Sequence, residues 1–182
     1  VFGIDPGSVR TGYGCVDSDG TRHRLVACGV AGTTRGAFAA RLRAIHDGLV
    51  DRIRALSPDC VAIETLFHAH NVKSALALGQ ARGVALVAAV ESGLPLVEYT
   101  PAEIKMAVTG YGRAEKAQIQ QMVQLLLGLD RPPAPHDAAD ALAVAICHAH
   151  AGRAPSPAAR APRHLRSWRH ARLPHAAGRQ SP

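Results

Sequence analysis

The chain has 182 residues, 47% apolar and 19% charged, a composition that fits one globular domain with a sizeable core. No apolar run approaches the roughly 20 residues of a membrane span, and the first residues lack the basic-then-apolar pattern of a secretory leader, so a cytoplasmic location is expected. The net charge of +7 is local: residues 151–182 carry seven arginines and no acid, which leaves 14 basic residues to match all 14 acids in residues 1–150. Bulk charge on the folded part is thereby excluded as a means of binding, and any polyanion must meet a local basic patch there.

The chain opens on a buried strand, Val1, Phe2 and Ile4, that ends in Asp5 and is closed by Pro6-Gly7. Because the first residue is Val1 and not Met, a few residues of this strand are expected to be missing. Residues 11–16 and 24–30 read as two further strands around the turn Asp17-Ser18-Asp19-Gly20, giving an antiparallel meander. Residues 35–56 place Phe38, Leu42, Ile45, Leu49 and Ile53 at helical spacing, and Pro58 closes the segment. Residues 59–64 then repeat the opening design, a short apolar strand ending in an acid, Glu64. Residues 71–91 predict a long Ala-rich helix capped by Asn71, with Gly79 and Gly83 four apart on one face, suited to close packing in the core or against another subunit.

A fifth strand is predicted at residues 94–98, and Pro101 opens the next helix. The basic loop Thr109-Gly110-Tyr111-Gly112-Arg113 leads to a helix over 114–127, whose apolar stripe (Ile119, Met122, Val123, Leu126) leaves Lys116 off its face. After the Pro-rich loop 130–135 a last helix runs from His136-Asp137 to about His148. Beyond it the composition is Ala, Pro, Arg and His, too poor in bulky apolar residues to order itself. The organisation is thus one domain over 1–150, an α/β fold with a mixed five-stranded sheet (three antiparallel strands, then parallel additions) and helices on both faces, followed by a disordered basic tail over 151–182.

Four acids combine into one constellation. Asp5 and Glu64 each end a buried strand; if the strands are parallel neighbours, about 4.8 Å apart, the carboxylates lie side by side. Asp137 and Asp140 are three apart at a helix start and share a face; Asp137 alone reads as an ordinary first-turn acid, but Asp140 lies in an apolar run and needs a partner. No Lys or Arg adjoins these acids in sequence, so a divalent cation with oxygen ligands, Mg²⁺ above all, is the expected neutraliser. Two such ions about 4 Å apart would clamp the attacking and leaving oxygens of a phosphodiester. The four cysteines (Cys15, Cys28, Cys60, Cys147) are scattered, without C-x-x-C spacing, and read as free thiols in a reducing compartment. The histidines lack metal-binding spacing; His68 and His70 read as loop residues, His136 as a neighbour of Asp137, and His148 and His150 as helix-end residues that suit the dipole.

Asp5-Pro6-Gly7-Ser8, Thr11-Gly12-Tyr13-Gly14, Ala62-Ile63-Glu64, Ser74-Ala75-Leu76, Leu78-Gly79-Gln80-Ala81-Arg82-Gly83-Val84-Ala85, Ala114-Glu115-Lys116 and Asp137-Ala138-Ala139-Asp140-Ala141-Leu142-Ala143 together resemble, in order and over about residues 1–150, the RuvC family of bacterial Holliday-junction resolvases, which have a ribonuclease-H-like fold. The resemblance implies a homodimer that binds four-way DNA junctions and nicks two opposed strands symmetrically with Mg²⁺ or Mn²⁺, in recombination and repair. Asp5, Glu64, Asp137 and Asp140 match the family's catalytic, metal-binding acids; Lys105 and Lys116 match its DNA-contacting lysines; Phe67 matches the aromatic that wedges at the junction. Arg113 and Arg82 are expected as further phosphate contacts, and a branch-migration motor of the RuvA-RuvB type as the implied partner. The tail reads either as an electrostatic tether to DNA or as unselected composition.

Other classes fit less well. A phosphate-cradling loop at Gly3 to Gly7 is shared with actin-like phosphotransferases, but these need a second, duplicated domain. An RNA-processing nuclease of the same fold would lack the Phe67 and 71–91 features, and a junction-binding protein without catalysis would not need four acids.

Overall fold

Side-chain alternation along the first strand decides how the layers are built. In a computed structural model that describes residues 1–33, 35–65 and 71–152, strand β1 (Phe2–Asp5) turns the fully buried Phe2 and Ile4 to one face of the sheet and Gly3 to the other. β2 (Thr11–Ser18) and β3 (His23–Ala31) complete the predicted meander, with a register shift between Cys15 and Val16. Then follow α1 (Phe38–Leu56), β4 (Val61–Glu64), α2 (Val72–Glu91), β5 (Leu96–Tyr99), α3 (Pro101–Thr109), α4 (Lys116–Leu126) and α5 (His136–His150). The sheet order is β3-β2-β1-β4-β5, with β1, β4 and β5 parallel to one another and β2 antiparallel to its neighbours.

Two cores result, one on each face. Phe2, Ile4, Val61 and Ile63 pack with Ile45, Leu49 and Ile53 of α1 and Ala81, Ala85, Ala88 and Ala89 of α2. On the other face Ala62 and Val16 meet Leu142 and Ile146 of α5, with Ile104 and Val123 from α3 and α4. α5 lies almost backbone to backbone on the sheet. A Cβ at Gly3 would stand 2.1 Å from the Ala141 carbonyl oxygen, and one at Gly12 would stand 1.9 Å from that of Asp137. Glycine is required there by contact, and the Gly12-Tyr13-Gly14 motif is explained by it: Gly14 receives Leu142 in the same way.

The far end of α5 is tied down by a directional chain of hydrogen bonds. His150 Nδ1 donates to the Ala107 carbonyl at 2.9 Å, so its Nε2 accepts from His23 Nε2 at 2.8 Å. His23 Nδ1 in turn meets the Ser18 hydroxyl at 2.8 Å, which accepts from the Gly20 amide at 3.0 Å. His148 is buried and bonded to the Tyr99 hydroxyl at 2.9 Å. Both histidines stand in the last turn of α5, as expected, and are in addition fixed by ring partners.

Three other expectations shift. The first helix begins at Phe38 and not at residue 35, because Gly36 sits at φ +86°, outside helical space. The helix expected from 114 begins at Lys116, where the Glu115 amide donates to Gln118 Oε1 at 2.8 Å. α2, at 20 residues and mean hydropathy 1.2, does reach the length and composition of a membrane span, contrary to the expectation that no run would. Its alanines nevertheless pack on α1, and its Arg82 forms an ion pair with Glu98 on β5. Cys15, Cys60 and Cys147 are buried and Cys28 is half-buried. From residue 153 on, the basic tail lies outside the described residues.

Candidate active site

Parallel register brings the first two acids together. Ile4 pairs with Ile63, so Asp5 and Glu64 are the next residues on adjacent strands, about 4.8 Å apart along the sheet. Each strand is stopped firmly at this point. After Asp5 the loop is closed by Thr11, fully buried, whose hydroxyl accepts from the Gly7 amide and donates to the Gly7 carbonyl, both at 3.3 Å. After Glu64 the Thr65 amide donates to the Tyr99 carbonyl at 2.8 Å. Asp5 pairs in register with Gly12, and Gly12 touches the Asp137 main chain, so the first turn of α5 is carried to the same sheet end. Asp140 follows one turn later and is partly buried.

The electrostatics are those of a crowded anionic site. Burial, then the charges of Glu64 and Asp140, hold the Asp5 carboxyl well above the usual carboxylate range. Burial also raises Glu64, offset in part by a hydrogen bond from Asp5. Both carboxyls are thus held above their ordinary range by burial and by the charge of neighbouring acids. Asp140 is neutralised differently: Lys116 Nζ, from the start of α4, stands 2.5 Å from its Oδ2. Burial opposes charge on Lys116, but the hydrogen bond and charge of Asp140, with Asp5 and Asp137 beyond, raise it overall. Sequence reasoning expected Lys116 as a DNA contact and missed its pairing with Asp140, 24 positions away, because no basic residue adjoins the acids in sequence.

Among the described residues no group of three or more His, Cys, Asp and Glu side chains stands close enough to hold an ion as placed. The donor set nevertheless suits a hard cation, since all four candidate ligands are carboxylates and the one ammonium that pairs with them, that of Lys116, reaches only Asp140. A cavity of about 220 Å³ opens beside the acids, walled by Glu64, Asp140, Lys105 and Lys116 with Pro101, Ile104, Ile119 and Ala143.

The remaining expected residues divide. Lys105 lines this cavity, whereas Arg113 is exposed on the turn before α4 and is not among its lining residues. Arg82 is mostly buried, ion-paired with Glu98, and its Nε donates to the Glu64 carbonyl at 3.4 Å; it is engaged with the protein, not open to a phosphate. The signal for this pairing was weak in sequence, because it depends on β5 register, which sets Glu98 beside Ile63. His136 is exposed, and its Nδ1 accepts from Gln120 Nε2 at 2.6 Å. Phe67, His68 and His70 lie outside the described residues.

Comparison with known proteins adds to this geometry. A protein-family model described as "Crossover junction endodeoxyribonuclease RuvC" matches residues 1–148. A protein of that name from Pelotomaculum thermopropionicum is 51% identical over 151 residues, spanning 82% of this chain and 92% of the relative. One from Desulforamulus reducens is 49% identical over 150 residues, with the same coverage. Among solved structures, the Thermus thermophilus RuvC in complex with Holliday junction substrate superposes with a TM-score of 0.78 at 36% identity, covering 84% of this chain and 93% of that one. The yeast mitochondrial Holliday junction resolvase Ydc2, at 14% identity and a TM-score of 0.55, shares the fold.

Proposed function

Since the chain belongs to the RuvC family of crossover junction endodeoxyribonucleases, we propose that it resolves four-way DNA junctions, as a homodimer, by hydrolysing two opposed phosphodiesters at symmetric positions. The observation that carries this reading is the convergence of Asp5, Glu64, Asp137 and Asp140 at one sheet end, within the stretch that matches the family.

Asp5, Glu64, Asp137 and Asp140 would hold two Mg²⁺ ions, with Mn²⁺ able to substitute. Bound there, the ions would supply the positive charge that polarises a water and stabilises the departing 3′ oxygen. The protein's own contribution is preorganisation. Strand register fixes Asp5 against Glu64, and the glycine contacts fix α5, so the main chain that carries the four carboxylates is set before substrate arrives. Lys116, on a long flexible stem and 60% exposed, turns from Asp140 to a substrate phosphate once Asp140 is otherwise neutralised. Lys105 faces the same cavity and holds the strand beside it, with Arg113 an outer phosphate contact and Phe67 the wedge at the crossover. Selectivity comes from junction shape and a short preferred cleavage sequence.

The homodimer is supported by α2. Val72, Leu76, Val87 and Val90 are exposed on one helical stripe with Gly79 and Gly83, where an added Cβ would meet nothing within 4 Å among the described residues. An apolar groove of about 840 Å³ continues that stripe onto Phe38 and Leu42 of α1. Family membership also carries the proposals of delivery by a branch-migration motor, of a role in cytoplasmic recombination and repair, and of residues 1–150 as the nuclease domain.

The test is a nicking assay on a mobile four-way junction beside linear duplex and RNA–DNA hybrid, with Mg²⁺ and with EDTA. Paired symmetric nicks on the junction alone, lost with EDTA and lost in Asp5→Asn while junction binding persists, are the expected result. Cleavage of the hybrid in place of the junction would move the substrate to RNA, and full activity of Asp5→Asn would remove the acids from the chemistry.

A further inference from the structure

We propose that Arg10 and Arg35 form a second phosphate-binding rim, across the acids from Lys105 and Lys116, which grips the DNA backbone on the far side of the reacting phosphate. This rests on the nuclease reading above and extends its DNA path. The sheet order lays out the active end as a row: Ala31 of β3, Thr11 of β2, Asp5 of β1, Glu64 of β4, Tyr99 of β5. At about 4.8 Å per strand the row is roughly 19 Å long, the rise of five or six duplex steps. The acids hold its middle, and the cavity with Lys105 and Lys116 lies toward β5. On the β2–β3 side lie the described residues of two connections, 6–10 and, after β3, 32–33 with 35–37, and each carries one arginine.

Both are anchored by contacts of their described residues. Thr11 closes the first through both polar atoms of Gly7, and a Cβ at Gly7 would fall 2.1 Å from the Arg10 carbonyl oxygen. The second is packed on the first. Gly32 sits at φ +108°, and a Cβ there would stand 2.8 Å from Ile45 Cγ1 and 3.2 Å from the Val9 carbonyl oxygen. The Arg35 amide donates to Thr33 Oγ1 at 3.1 Å.

Both side chains are exposed, and among the described residues neither has an acidic partner. Arg24, Arg43 and Arg82 are spent on Asp17, Asp47 and Glu98. Unpaired guanidinium groups on fixed loops are suited to bidentate phosphate contact. They also answer a difficulty of the site: carboxylates repel the backbone they must meet, and cations on the β5 side alone would hold only one flank of it.

Salt dependence separates phosphate contacts from structural roles. Junction affinity of the full chain is measured from 50 to 200 mM salt, with Ca²⁺ in place of Mg²⁺ to keep the strands intact. Arg10→Ala/Arg35→Ala should reduce the slope of log affinity against log salt by about 2, so that it loses about tenfold less affinity over that range. Arg10→Lys/Arg35→Lys should keep the slope, which separates lost charge from misfolding. Arg22→Ala, on the β2–β3 turn at the opposite end of the sheet, should leave it unchanged. A double-alanine slope equal to wild type overturns the rim and leaves the nuclease reading standing. A wild-type chain that binds duplex as tightly as junction overturns that reading itself.

Discussion

Burial is the largest reason that Asp5 resists ionisation, and this gives the metal-free fold a pH dependence of definite sign. An acid whose folded pKa is raised binds its proton more tightly in the native state, so its contribution is fully present below the unfolded value, near 3.9, and is lost as pH rises through the raised folded value. Glu64 is raised too and acts in the same direction. In EDTA the melting temperature should therefore fall between pH 4.5 and 8, and Asp5→Asn should flatten the fall and melt higher than wild type at pH 8. Each kcal/mol recovered is worth about 2–4 °C in a domain of this size. A wild-type protein that gains stability over that range would falsify the neutral-acid description. At this scale the acids were legible because each breaks an apolar pattern: Asp5 and Glu64 end strands, and Asp140 interrupts a run of Ala, Leu and Val. Their neutralisation was not legible, since the ammonium of Lys116 reaches Asp140 only through the packing of α4 on α5.

At the scale of elements, the seam between α5 and the sheet is the most demanding contact. A methyl group at Gly3 would meet the Ala141 oxygen at 2.1 Å and the Ala145 nitrogen at 2.7 Å, both main-chain atoms that no rotamer change can move. Gly3→Ala should destabilise by about 3 kcal/mol, the upper end of overpacking costs, and lower the melting temperature by roughly 6–12 °C. A change under 2 °C would mean that the helix can ride higher on the sheet. Sequence periodicity gave the helices and their apolar faces, but not this seam. Glycine at positions 3, 12 and 14 reads equally well as turn or bulge until Asp137, Ala141 and Leu142 are placed above it. Helix starts slipped by two or three residues for a local reason, the left-handed Gly36 in one case and the Glu115–Gln118 contact in the other.

For the whole molecule, α2 separates two faces of one helix. Its alanines are buried on α1, while Leu76, Val87 and Val90 face outward. If that stripe joins two copies, Leu76→Glu/Val90→Glu should sediment as a monomer where wild type sediments at twice the chain mass, and paired nicking should become uncoupled single nicking. A variant that still sediments as a dimer would place the interface elsewhere. The small-residue spacing at Gly79 and Gly83 was visible in sequence, but not that, among the described residues, nothing stands within 4 Å of a Cβ added at either. The length and polarity of α5 carry one more consequence. Asp137 stands in its first turn and His150 in its last, held by His23 and Ala107, so the helix spans about 20 Å from the acids to the point where the chain leaves it. The seven arginines of residues 153–179 follow that point in sequence, so an electrostatic tether built on them would start about 20 Å from the acids.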